Sequence, residues 1–79
     1  MDTYTRVKNR LLDLCAERGI TVNKLAQLSG VQPSTVKNIL YGKSKNPGVV
    51  TLGLLCDGLG IGLSDFFGSG EFSKNNNEE

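Results

Sequence analysis

The side chains with the most chemistry to offer lie on one short segment, residues 32–41. Val36, Ile39 and Leu40 recur at helical spacing and predict the buried stripe of a helix. That stripe leaves polar and aromatic residues for the other faces: Gln32, Ser34, Thr35, Lys37, Asn38 and Tyr41. Amide, hydroxyl and ammonium groups exchange hydrogen bonds with a ligand and are typical of binding. We therefore treat this segment as the candidate functional surface.

A second short helix precedes this segment, and a tight corner joins the two. Thr21 can cap a helix over residues 22–29, because its hydroxyl can accept from an amide one turn in. Gly30 follows where the chain must change direction, and glycine tolerates a left-handed backbone. Pro33 then suits the first turn of the next helix, over about residues 33–41. The pattern predicts two short helices meeting at a steep angle.

A longer helix is predicted near the start of the chain, over about residues 3–18. Gly19 would end it, because glycine is common just past a helix C-terminus. Residues at helical spacing predict its buried face: Tyr4, Val7, Leu11, Leu14 and Cys15. This first helix would contribute one wall of a small core.

Two helices are predicted after the pair. The fourth spans about residues 49–59, and Gly53 within it is either exposed or a point of close packing. The fifth is short, with Ser64 as its cap, and at least one of Phe66 and Phe67 should close the core. The sequence thus predicts five helices and no strand.

Three consecutive blocks of sequence follow one pattern: ITVNKLAQLSGV (residues 20–31), STVKNILYGKSKNP (34–47) and TLGLLCDGLGIGLSDFF (51–67). In order and spacing they resemble the lambda-repressor-like helix-turn-helix family, the Cro and xenobiotic-response-element type of regulator. The resemblance implies an all-α, five-helix domain with the helix-turn-helix at helices 2 and 3. It also implies sequence-specific binding of double-stranded DNA by a small transcriptional regulator, a repressor.

In that family the third helix enters the major groove while the second crosses the DNA backbone. Carried over by position, the resemblance implies these candidates for base contact: Gln32, Pro33, Ser34, Lys37, Asn38 and Tyr41. It implies these for phosphate contact: Thr21, Asn23, Thr35, Lys43 and Lys45. Amides can pair with adenine and lysine with guanine or a phosphate. The alternatives are that the Gln32 and Asn38 amides and the Lys37 ammonium group are merely solvated, and that Tyr41 packs against the following loop or the fourth helix.

Two departures from the family pattern concern backbone contact and capping. Val22 occupies the first position of helix 2, where the family commonly has a glutamine that hydrogen-bonds to the DNA backbone. Gln32 occupies the start of helix 3, where a serine or threonine cap is common. Val22 favours an alternative function, in which the same fold serves as an antitoxin or a protein-interaction adaptor and DNA binding is secondary.

Charge is distributed unevenly along a chain whose net formal charge is only +1. Residues 1–45 carry eight basic and three acidic side chains, whereas residues 46–79 carry one basic and five acidic side chains. A basic half that contains the helix pair is what a phosphate-binding face requires, although surface lysines can also be merely solvated.

Catalysis and metal binding have little support. The chain has no histidine and no CxxC pair, so a zinc site of usual spacing is absent. Asp57 and Asp65 have no obvious catalytic partner, and GLGIGL at residues 58–63 lacks the GxGxxG spacing. We therefore expect no enzymatic activity, no cofactor, no metal and no small-molecule ligand. Cys15 and Cys56 are expected to be buried small hydrophobes, with a redox switch as the alternative.

The 79 residues are enough for one domain, predicted over residues 1–68 with a flexible polar tail over residues 69–79. No apolar run approaches the ~20 residues of a membrane span, and the first three residues lack signal-peptide character. A cytoplasmic protein is expected. A homodimer on two DNA half-sites is also expected, joined through helix 4, helix 5 and apolar residues around 59–67.

Overall fold

The computed structural model describes residues 2–43 and 45–72, without the side chain of Glu71. Five α-helices follow one another: α1 Thr3–Arg18, α2 Val22–Ser29, α3 Pro33–Leu40, α4 Val49–Leu59 and α5 Leu63–Phe67. A single 3₁₀ turn, Gly70–Phe72, ends the described part, which contains no strand. The predicted all-α, five-helix architecture is confirmed. The bounds of α2 and α4 agree with the prediction, and α3 ends one residue earlier than predicted.

Local hydrogen bonds create the corner between α2 and α3. Thr21 caps α2, because its Oγ1 accepts from the Lys24 amide at 3.0 Å. Gly30 adopts the left-handed conformation at φ 69°, which a residue with a side chain rarely tolerates. The amide of Val31 then donates to the Ala26 carbonyl at 3.1 Å, closing the end of α2. The predicted cap and the predicted glycine corner are both confirmed.

The predicted cap of α5 is wrong. The helix begins at Leu63 with Gly62 as its N-cap, so Ser64 lies inside the first turn. Asp65 explains the earlier start, because its carboxylate accepts from the Gly62 amide at 3.3 Å and satisfies a donor that the helix leaves free. Phe66, by contrast, is fully buried and closes the core as expected.

One core joins all five helices. The helix pair contributes Leu25, Ala26, Val36, Ile39 and Leu40. Helices α1 and α4 supply most of the rest: Val7, Leu11, Leu14, Cys15, Leu52, Leu55, Cys56 and Leu59. Burial raises the pKa of both free cysteine thiols, so little reactive thiolate forms at neutral pH. The cysteines therefore act as small core residues, as expected.

Three side chains of α1 reach carbonyl groups at the C-terminal ends of three other helices. The Tyr4 hydroxyl donates to the Ile39 carbonyl of α3 at 2.6 Å. Arg10 donates to the carbonyls of Phe66 and Asp65 in α5, each at 3.1 Å. Arg18 donates to the Leu59 carbonyl of α4 at 2.9 Å. Because the last carbonyls of a helix have no partner within it, α1 satisfies polar groups at all three ends.

The packed structure continues past α5. Phe72 is half-buried, and its ring lies 5.0 Å from the Phe67 ring and 6.0 Å from the Phe66 ring, measured between centroids. The first part of the predicted tail, residues 69–72, therefore includes a turn that packs an aromatic ring on the core. Residues 73–79, the rest of that predicted tail, lie outside the described residues.

Close packing between α2 and α4 depends on Gly58. A Cβ added there would overlap Ser29 Oγ and would lie 3.0 Å from the Ser29 backbone nitrogen. At Gly53, in the same helix, an added Cβ would lie 4.0 Å from Leu63 Cδ1, which is an ordinary contact. Gly58, rather than Gly53, is thus the point of close approach.

We predict opposite effects for alanine at these two glycines. Gly58→Ala should lower the free energy of unfolding by about 1–2 kcal/mol, because the overlap outweighs the gain in helix propensity. Gly53→Ala is the matched control and should raise it by up to about 1 kcal/mol. Urea unfolding followed by circular dichroism measures both values. Equal stability of the two variants would contradict the close contact between α2 and α4.

Candidate nucleic-acid interface

Helix α3 buries one stripe and exposes the rest of its surface. Val36, Ile39 and Leu40 lie in the core. All six residues expected to contact bases are exposed: Gln32, Pro33, Ser34, Lys37, Asn38 and Tyr41. Among the latter, the residues at positions 34, 37, 38 and 41 follow the spacing that places side chains on one helix face. The sequence pattern and the structure thus agree on which side of α3 faces outward.

The exposed side chains of α3 are available to a ligand. Lys37 and Asn38 make no side-chain hydrogen bond or ion pair within the described part of the chain. Gln32 occupies the N-cap position, but its side chain makes no capping hydrogen bond. Tyr41 is 67 % exposed, so most of its ring is free of contact with the loop and α4. The surface offers two amides, one ammonium group and one phenol.

The start of α2 offers a hydroxyl and an amide. Thr21 is exposed, and its Oγ1 already accepts the Lys24 amide, so its own proton remains available to a second acceptor. Asn23, two residues further along the chain, is also exposed, whereas Val22 is half-buried against the core and has no donor on its side chain. Thr21 and Asn23, both expected at a phosphate, are therefore accessible at this helix end.

The loop that follows α3 carries two lysines. Lys43 and Lys45 are both exposed, and Thr35, also expected at a phosphate, is exposed on α3 itself. The Lys43 amide donates to the Asn38 carbonyl at 2.9 Å, which ties the first part of the loop to α3. The hydrogen bond from the Thr5 amide lowers the pKa of the Asp2 carboxyl, and the charge of Lys45 lowers it further.

Tyr4 has a polar role that the sequence pattern did not predict. Helical spacing placed this residue only on the buried face of α1, whereas in the structure its hydroxyl donates to α3. A tyrosine in an otherwise aliphatic stripe was the available signal, because a buried phenol usually needs a hydrogen-bond partner. Arg10 and Arg18 were likewise counted with the basic half, but the structure directs both guanidinium groups to helix carbonyls.

Within residues 2–43 and 45–72, no cluster of three or more histidine, cysteine or acidic side chains could bind a metal ion. None of the described helices combines the length and the apolar character needed to cross a membrane.

Comparison with known proteins agrees with this geometry. Residues 10–69 match the family model of the Cro/C1-type helix-turn-helix DNA-binding domain. The chain belongs to this family, which confirms the resemblance found in the sequence. The fold is similar to the crystal structure of the prophage Lp1 protein 11, with a TM-score of 0.80 and 32 % sequence identity over 92 % of this chain and 96 % of that chain. No curated protein sequence matches the chain.

Proposed function

We propose that this protein binds double-stranded DNA sequence-specifically as a small transcriptional regulator, with α3 in the major groove. The observation that carries the proposal is the exposed face of α3, which presents Ser34, Lys37, Asn38 and Tyr41 while the opposite stripe is buried. An α-helix with its side chains is about 10–12 Å in diameter, which fits the width of the major groove, about 12 Å. The family match supports DNA as the ligand.

Each exposed group on α3 has a chemical role in this proposal. The amides of Gln32 and Asn38 can each donate to and accept from an adenine edge. Lys37 donates to guanine O6 and N7 or, from the edge of the groove, to a phosphate. Ser34 and Tyr41 offer hydroxyl groups, and Pro33 offers an apolar contact for a thymine methyl group. These contacts select a sequence.

A different set of groups would fix the protein on the duplex. Thr21 and Asn23 at the start of α2 and Thr35 on α3 donate neutral hydrogen bonds to phosphates. Lys43 and Lys45 add charge beside the C-terminal end of α3. Only the charged contacts release counterions, so we expect a modest dependence of affinity on salt.

The experiment that tests the proposal compares two double variants. Lys37→Ala/Asn38→Ala should abolish the preference for a duplex selected from a random pool, because it removes base contacts worth about 1–3 kcal/mol each. Lys43→Ala/Lys45→Ala should weaken binding to every duplex and reduce the salt slope by about 2, while the preference remains. Fluorescence anisotropy at two salt concentrations measures both quantities. Retained preference in the first variant would exclude α3 as the base-contacting helix.

We further propose that the regulator is a repressor that acts by occupying its operator, in a bacterial or phage setting and in the cytoplasm. The prophage origin of the similar structure supports this setting. The described part of the chain consists of one packed unit built around the helix pair, which suits exclusion of other proteins from a DNA site. A reporter gene placed behind the selected duplex in bacterial cells tests the direction of the effect. Increased expression on adding the protein would contradict repression.

A homodimer is the second part of the proposal. Val50 and Leu54 lie one turn apart on α4 and are 74 % and 41 % exposed, and Phe67 is exposed on the adjacent α5. A helix that is apolar on several faces normally has more than one packing partner. A second copy covering this surface would give two α3 helices for two half-sites, about 34 Å apart on one side of the duplex.

We predict that Leu54→Lys shifts the dimer towards monomer. In the dimer the ammonium group would be buried in the interface, which costs far more free energy than leaving it exposed in the monomer. Leu12→Lys is the matched control, because Leu12 is 40 % exposed on α1 and the same substitution there leaves α4 and α5 unchanged. Sedimentation velocity across a concentration series measures the equilibrium. A wild-type chain that remains monomeric on DNA, or equal dissociation of both variants, would contradict this interface.

One observation favours a different function. Val22 is half-buried and its side chain has no donor, so it cannot hydrogen-bond to the DNA backbone at the start of α2. An antitoxin or a protein-interaction adaptor, in which DNA binding is secondary, would not need that contact. Binding of the wild-type chain to random duplex DNA at two salt concentrations separates the two functions. A regulator loses affinity as salt rises, whereas a flat response to salt, or no binding at low salt, favours the adaptor.

A further inference from the structure

We propose that Tyr4 is a positioning residue for DNA recognition, because its hydroxyl fixes the C-terminal end of α3 relative to α1. The inference rests on the proposed function, since it assigns Tyr4 an effect on base selection without a contact to DNA. Tyr4 lies on α1, half-buried, 35 residues from the carbonyl group to which it donates. The hydrogen bond thus joins distant parts of the chain, and Tyr4 itself lies outside the helix-turn-helix.

The hydrogen bond falls where α3 needs one. The last carbonyl groups of an α-helix receive no hydrogen bond from within the helix. They need donors from beyond its end or from other parts of the chain. In α3 the Lys37 carbonyl accepts the Tyr41 amide at 2.8 Å, and the Asn38 carbonyl accepts the Lys43 amide at 2.9 Å. The next carbonyl, that of Ile39, accepts from the Tyr4 hydroxyl at 2.6 Å. Among the described residues, Tyr4 is the donor found for this carbonyl.

Helix α3 has few other restraints on its orientation. It is only eight residues long, so its stability depends on packing rather than on intrinsic helix formation. Its N-terminus has no side-chain cap. The apolar stripe of Val36, Ile39 and Leu40 restrains rotation, but a non-directional apolar contact allows small tilts. The hydrogen bond from Tyr4 adds a directional restraint at one end.

The same hydroxyl also lies beside the loop that follows α3. A Cβ added to Gly42 would be 3.8 Å from the Tyr4 oxygen, and Gly42 has a φ of 86°. Lys43 comes next in the chain, and Tyr41 comes just before. One hydroxyl therefore adjoins the turn that connects the base-contacting face of α3 to the lysines expected at phosphates. Loss of that hydrogen bond would let the base-contacting face of α3 and the following lysines move relative to each other.

The test uses Tyr4→Phe, which keeps the ring and removes only the donor. Arg10→Met is the matched control, because Arg10 lies on the same helix and donates to the end of α5 rather than α3. The affinities of the full chain and both variants are measured for the selected duplex and for random duplex, well below each melting temperature. In Tyr4→Phe we expect the ratio of affinity for the selected duplex to affinity for random duplex to fall about five- to tenfold, as loss of one hydrogen bond predicts. Arg10→Met should lower the melting temperature and leave the ratio unchanged.

Two results would overturn the inference. In the first, Tyr4→Phe lowers the melting temperature but keeps the wild-type ratio of affinities, which would make the hydrogen bond merely structural. In the second, both variants lose the ratio equally, which would mean that general destabilisation and not the end of α3 controls base selection.

A measurement without DNA separates this inference from the proposed function. Amide hydrogen exchange in the free chain should be about tenfold faster at Tyr41 and Lys43 in Tyr4→Phe, and unchanged at Leu25 in α2. If the wild-type chain prefers no duplex, the proposed function fails, and the exchange rates alone decide whether Tyr4 restrains α3. Unchanged exchange at Tyr41 and Lys43 would refute the restraint whatever the chain binds.

Discussion

Burial of three apolar side chains on α3 is the constraint from which the functional surface follows. Val36, Ile39 and Leu40 can enter the core only if one side of the helix faces inward. Every other side chain of α3 is then exposed to solvent, including Lys37 and Asn38. A face-to-face reversal of α3 would expose the apolar stripe and bury Lys37 and Asn38 without partners, which is strongly unfavourable. The core therefore determines which groups a duplex could meet.

Helix α1 covers the core and also donates hydrogen bonds to the ends of three other helices. Tyr4, Arg10 and Arg18 lie on α1 and donate to carbonyls at the C-terminal ends of α3, α5 and α4. Two of the three donors are cations, which the partial negative charge of a helix C-terminus stabilises. In an 8.5 kDa chain the apolar core is small, so directional contacts of this kind limit how the short helices can shift. The α1 helix thus joins the helix pair to the C-terminal helices through polar as well as apolar contacts.

Periodicity and short-range chemistry predicted most of the fold. The Thr21 cap, the Gly30 corner and the inward stripe of α3 all involve residues within a few positions of one another, so the local sequence is sufficient to predict them. The start of α5 was assigned to Ser64 because a serine cap was available, whereas the backward contact from Asp65 places it earlier. The hydrogen bonds from Tyr4 and Arg10 to carbonyl groups 35 and 56 residues away were not predicted. No local pattern encodes which carbonyl a long side chain will find.

The candidate site was predictable to a similar extent. Sequence spacing identified the exposed face of α3, and the structure leaves all its predicted groups accessible. Actual contact of each residue with a base or a phosphate remains a prediction. Arg10 and Arg18 bind the carbonyls of helix ends, so the lysines of α3 and of the loop after it supply the positive charge for the proposed groove contact. Specificity in this account therefore depends more on amides and shape than on a strongly basic surface.

The most direct test is a titration of isotope-labelled protein with a selected duplex, followed by amide chemical shifts of each residue. The account predicts that the largest changes fall on residues 32–41, with smaller changes at residues 21–23 and 43–45. Changes concentrated on the outer side of α4 and α5, with α3 unaffected, would contradict the claim that α3 contacts the bases.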